Sequence, residues 1–95
     1  MNLKEKLQSD LKDAMRAGDD LRKNTLRMAI SAIKFAEIEK NSQLDDSATL
    51  AIIQKEVKSR RESIADAQRA NRPDLIQAAE HEIQLLEQYL PKALD

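Results

Sequence analysis

Cysteine and tryptophan are absent from this chain of 95 residues, and glycine, phenylalanine and tyrosine occur once each. Each shortage excludes something. Without cysteine there is neither a disulfide framework nor a thiolate metal site. A single glycine cannot build a phosphate-cradling loop. With only Phe35 and Tyr89 available, nucleic-acid recognition by stacking bases on aromatic platforms is disfavoured. No apolar run reaches the ~18 residues of a membrane span, and no signal-peptide pattern opens the chain. The expectation is therefore a cytoplasmic protein that engages no membrane.

Catalytic chemistry is equally short of material. His81 is the only histidine, and the segment AEHEI around it lacks the second histidine of a zinc-protease helix. The serines have no base other than His81 to form a nucleophilic triad. The Glu-x-x-His pairs of carboxylate-bridged metal sites in helical bundles do not occur. His81 lies off the apolar stripe and reads as a solvated surface residue. Neither a catalytic centre, nor a metal, nor a cofactor is expected.

What the chain has is amphipathic periodicity. Hydrophobic residues make up 41% and charged residues 35% of the sequence, which suits a helical domain with a modest core and places the length at one domain, residues 1–95. The absence of convincing alternation disfavours strands. A first helix over about 2–17 starts at Asn2 as cap, repeats Leu3, Leu7, Leu11 and Met15 with Ala14 widening the stripe, and ends at Gly18. A second, over about 20–40, starts near Asp19 or Asp20 and is apolar on two adjoining faces. Leu26, Ala29, Ile30 and Ile33 form one face, and Leu21, Met28, Ala32 and Phe35 the other. NSQLDD connects to a third helix over about 46–70, capped by Asp45, Asp46 or Ser47 and burying Leu50, Ile53, Val57, Ile64 and Ala67 or Gln68. Pro73 opens a fourth over about 73–90, with Ile76, Ala79, Ile83, Leu86 and Leu90 inward and Pro91 as its stop. Short turns make neighbours reverse, so the pattern predicts an all-α, antiparallel four-helix bundle.

Charge is banded. The net charge is −1, yet residues 21–40 and 55–72 each carry a net +3 between acidic segments. A nearly neutral protein can still present a local positive field. Lys58, Arg61, Arg69 and Arg72 fall within one broad face at about 100° per residue, with Arg60 on the opposite flank of the core stripe. Arg60 follows Glu56 by four residues, a favourable helical ion pair that marks it as structural. Lys23 has Asp19, Lys34 has Glu37, Lys58 has Glu62 and Arg69 has Asp66 within one turn. Arg27 and Arg61 have no acid three or four residues away. Two readings stay open: Arg27, Lys34, Lys58, Arg61, Arg69 and Arg72 form an anion-binding face, or they are a solvated or internally paired face, with Glu80, Glu82 or Glu87 of the fourth helix answering Arg27 or Arg61.

The segments LRMAISAIKFAEIE, EVKSRRES, RANRPDL and EHEIQLLEQYLPKAL together resemble the YqeY family, the free-standing relatives of the GatB tail domain. The resemblance covers essentially the whole chain. It rests most on Glu56–Arg60, on the Arg72-x-Asp74-Leu75 turn and on Tyr89-Leu90-Pro91. It implies an all-helical protein linked to tRNA-dependent amidotransferase chemistry, a carbon–nitrogen ligation with glutamine as amido donor. In that system the tail contacts tRNA while the chemistry happens elsewhere. The resemblance thus implies a non-catalytic module with tRNA or an amidotransferase subunit as candidate partner, or one that self-associates. Family members continue past the Leu-Pro segment into a smaller helical domain, whereas this chain ends four residues after Pro91. That second domain is expected to be absent here, weakening any RNA contact it shares.

Overall fold

The computed structural model describes residues 2–91. Four helices follow one another, α1 (Leu3–Ala17), α2 (Asp20–Lys40), α3 (Asp46–Arg69) and α4 (Pro73–Glu87), and the described residues contain no strand. This is the expected all-α, four-helix architecture. The chain divides into two units, one up to Ile52 and one from Ile53 onward, and α3 contributes to both.

In the first unit, α1 and α2 form an antiparallel hairpin. The side chain of Asn2 accepts from the Glu5 N–H at 2.8 Å and caps α1; that of Asp19 accepts from the Arg22 N–H at 3.1 Å and caps α2. Between them Gly18 adopts φ 68°, while its neighbour Asp19 donates its N–H to the Ala14 carbonyl at 3.0 Å. This left-handed turn satisfies carbonyls that the helix end leaves open. Ion pairs join Lys4 near the start of α1 to Glu37 near the end of α2 at 2.7 Å, and Asp10 at the middle of α1 to Arg22 near the start of α2 at 4.0 Å. Leu7 and Ala14 on α1, and Leu26, Ala29, Ile30 and Ile33 on α2, are buried. Each large aliphatic side chain so buried contributes about 1.5–3 kcal/mol. Met15 is exposed, with Ala14 inward in its place. A strict four-residue repeat advances about 40° per step around a helix, so by its fourth member it has left the core face.

The same C-terminal device closes α2 and α3. Asn41 and Asn71 both take φ 55°, and the residue after each donates back to the carbonyl five positions earlier, at 3.2 Å and 2.9 Å respectively. Asparagine tolerates this region better than other residues with a side chain. Asp45 caps α3 by accepting from the Ala48 N–H at 2.8 Å. In the second unit, Ile53, Val57 and Ala67 on α3 and Ala79, Ile83 and Leu86 on α4 are buried, and Gln68 is exposed. Helix α4 stops at Glu87, short of Pro91. Tyr89 and Leu90 donate to carbonyls only three residues back, at 3.1 Å each. Pro91 has no N–H to continue the ladder and disfavours helical geometry at Leu90, so the last turn tightens.

Candidate functional site

The arginines of α3 and of the turn after it are answered. Arg60 is 7% exposed. Its Nε donates to Glu82 at 2.8 Å, and its Nη1 to the Glu56 carboxylate at 3.1 Å and to the Glu56 carbonyl at 3.0 Å. The helical pair with Glu56 was legible in the spacing; its burial was not. Residues 53, 57, 60, 64 and 67 follow a four-three repeat, and that repeat places Arg60 on the core stripe rather than on its flank. Arg61 meets Glu87 at 3.0 Å, with both side chains about half exposed. Arg69 pairs with Asp66. Arg72 lies outside α3, at the residue preceding Pro73, and binds Asp74 through two hydrogen bonds of 3.2 and 3.0 Å. The guanidinium lowers the Asp74 carboxyl pKa, and Asp74 in turn raises that of Arg72. Of the six cations singled out in the sequence, Arg61, Arg69 and Arg72 therefore carry ion pairs.

Arg27, Lys34 and Lys58 carry none among the described residues. The Glu62 carboxylate makes no ion pair with Lys58. Glu37 is engaged by other groups than Lys34: its carboxylate accepts from Lys4 Nζ at 2.7 Å and from the Leu44 N–H at 2.9 Å, which ties the start of α1 and the loop after α2 to one group. These hydrogen bonds hold the Glu37 pKa below its ordinary value, with Lys34 a lesser contributor through space. Lys23 pairs with Asp20 at 3.3 Å instead of Asp19, whose carboxylate is occupied as the cap.

The second apolar face of α2 is not buried. Leu21, Met28, Phe35 and Ile38 are exposed by 37, 55, 64 and 77%. Leu21, Met28 and Phe35 recur every seven residues, so they form one ridge spanning about 21 Å at 1.5 Å per residue. Arg27 and Lys34, also seven apart, run along one side of that ridge, about 10 Å from each other along the axis. Asn24 and Ser31 lie between ridge and cations and add no charge. Asp20, at the start of the same side, is engaged by Lys23. Beyond the ridge, Lys34 and Ile38 continue into an open groove lined also by Asn41, Ser42 and Gln43. A small cleft of about 60 Å³ between α1 and α2 is lined by Lys4, Leu7, Ile33 and Glu37 among others. The described residues contain no group of three or more His, Cys, Asp or Glu side chains arranged to hold a metal ion. No helix in the described chain is long and apolar enough to cross a membrane. His81 is exposed.

Sequence comparison gives this geometry a family. The family described as Yqey-like protein matches residues 4–95. Over 85 residues the chain is 41% identical to Altered inheritance of mitochondria protein 41 of Vanderwaltozyma polyspora, which covers 88% of this chain and 46% of that protein. The protein of the same name from Lachancea thermotolerans shows the same identity and coverage. An uncharacterized protein of Schizosaccharomyces pombe is 30% identical over 91 residues, covering 96% of this chain and 74% of that protein. The chain thus spans about half the length of the first two relatives. Their names correct the cytoplasmic expectation, since both are mitochondrial proteins by name. The features behind that expectation, no cysteine and no apolar run, suit any aqueous and reducing compartment and do not separate one from another. With its match over residues 4–95, the chain belongs to the YqeY-like family.

Proposed function

We propose that this chain is a non-catalytic interaction module that docks on a protein partner through the exposed face of α2, in the setting of tRNA-dependent amidation. The setting rests on the resemblance to the GatB tail domain. The docking mode rests on one observation: a ridge of Leu21, Met28 and Phe35, with Ile38 beside its end, stays in contact with solvent along α2. Solvated apolar ridges of this length are costly unless covered in use. The test is co-migration of the purified chain with a GatB-type amidotransferase subunit in gel filtration. Phe35→Asp places a charge in the ridge without touching the buried face, so it abolishes co-migration and leaves the helical circular dichroism unchanged. Equal co-migration of both proteins contradicts the reading. The isolated chain shows no glutamine-dependent amidation in this account, and turnover by the purified protein contradicts its non-catalytic part.

A second reading, contact with the tRNA backbone, is favoured by a different observation. Arg27, Lys34 and Lys58 carry no ion pair among the described residues, while the pairs of Arg61 and Arg69 are exposed and weak enough for phosphate to replace. Its physics is phosphate neutralisation, so each lost contact lowers the slope of log affinity against log salt by about 1. Arg27→Glu with Arg61→Glu weakens tRNA binding and flattens that slope; identical slopes for variant and wild type remove the reading.

A further inference from the structure

The exposed face of α2 is asymmetric, and the asymmetry specifies an occupant. Arg27 and Lys34 border the ridge on one side, with no ion pair to either among the described residues, while the other side carries Ala32, Ala36, the single acid Glu39 and Arg22, whose guanidinium is held by Asp10. From this geometry we infer that the partner is an amphipathic helix with an acidic edge: apolar residues at seven-residue spacing pack on Leu21 and Phe35, and carboxylates seven residues apart meet Arg27 and Lys34. The inference rests on the protein-docking reading above.

Helix packing supplies the reasons. A helix laid along α2 brings its own flanking residues against those of α2, the geometry in which edge charges select partners. Arg27 and Lys34 share the register of their ridge, so one partner helix satisfies both cations with acids at equivalent heptad positions. A second copy fits less well. Antiparallel self-pairing about Met28 turns the same edge of each α2 towards the other, which sets Arg27 against the second copy's Arg27 and leaves Lys34 facing an Asp20 already held by Lys23. RNA fits less well too, because four large apolar side chains exposed in the same surface gain nothing from phosphate. The open groove bounded by Lys34, Ile38 and Asn41 extends the surface past the end of α2 and leaves room for a partner helix to continue.

The experiment uses the whole chain and three fluorescent 21-residue peptides, as designed probes. Each carries leucines at heptad spacing and differs only in one edge, which is glutamate, glutamine or lysine. Fluorescence anisotropy is expected to give affinities in the order glutamate, glutamine, lysine, with about tenfold between the first and last. Arg27→Glu with Lys34→Glu reverses that order, and Phe35→Asp abolishes binding of all three while thermal unfolding stays within a few degrees of wild type. If all three peptides bind equally and Phe35→Asp abolishes them together, the acidic edge is overturned while docking through α2 stands. If none binds and the chain still co-migrates with an amidotransferase subunit, the helical partner is overturned but the module reading survives. Absence of both overturns both. A concentration-dependent dimer in sedimentation that Phe35→Asp dissolves assigns the ridge to a second copy and overturns the acidic partner. So does tRNA displacing the glutamate peptide at equimolar concentration.

Discussion

At the scale of single residues, two side chains show how position sets the role of a charge. Arg60 and Arg61 are neighbours in sequence with the same chemistry. Arg60 is buried and shared between Glu56 and Glu82, whereas Arg61 holds one half-exposed partner. Removing Arg60 strands two carboxylates that are themselves largely sheltered, so Arg60→Ala is expected to cost about 2–3 kcal/mol of stability. Arg61→Ala is expected to cost less than about 0.5 kcal/mol. Urea unfolding of both variants checks the contrast, and equal losses contradict it. Glu37 is the second case. Its pKa is lowered in the folded chain by Lys4 and by the Leu44 N–H, so its contribution is full above the ordinary carboxylate value and is lost as pH falls through the depressed one. Stability measured against pH should therefore decline below about pH 4.5, and Glu37→Gln should decline less steeply over that window. A parallel decline in both proteins contradicts the assignment. Local pairs such as Glu56 with Arg60 are visible in a sequence because helical spacing alone brings them together. The contacts of Arg60 with Glu82, and of Glu37 with Lys4, join residues 22 and 33 positions apart and depend on helix packing that spacing does not encode.

At the scale of elements, the helix ends are where the sequence speaks most plainly. Asn2, Asp19, Asp45, Gly18 and Pro73 each do in the structure what their chemistry favours at a cap or a turn. The left-handed turns at Asn41 and Asn71 are less legible, because asparagine is common in many kinds of loop while a lone glycine after a periodic run has few other uses. This difference yields a prediction. Nothing lies within 4 Å of a Cβ built on Gly18, so only its positive φ opposes a side chain there. Gly18→Ala should destabilise by about 1 kcal/mol. Asn41→Gly and Asn71→Gly should leave stability unchanged or raise it by a few tenths of a kcal/mol. Chemical denaturation of the three variants reads this directly, and a tolerated Gly18→Ala contradicts it. Within α2 the wide apolar surface was evident from sequence. Which of its two faces would be covered was not, since composition assigns both the same hydrophobicity and only packing against α1 chooses between them.

At the scale of the whole molecule, the charge banding divides into two kinds of cation. The basic segment 55–72 is largely consumed by its own acids and those of α4, and the pairing that the sequence left open is there resolved towards neutralisation for Arg61. The basic segment 21–40 keeps Arg27 and Lys34 open beside an apolar ridge. The binding role proposed for α2 rests on that division, since a surface that combines solvated hydrophobes with unanswered charge gains most from a partner that covers both. The most direct measurement is a nuclear magnetic resonance titration of the chain with the glutamate-edged peptide. Shift changes are expected to concentrate at Leu21, Arg27, Met28, Lys34, Phe35 and Ile38, with Arg61, Arg69 and Arg72 unmoved. Changes centred on Arg61, Arg69 and Arg72, or a spectrum that the peptide leaves unaltered, would contradict this expectation.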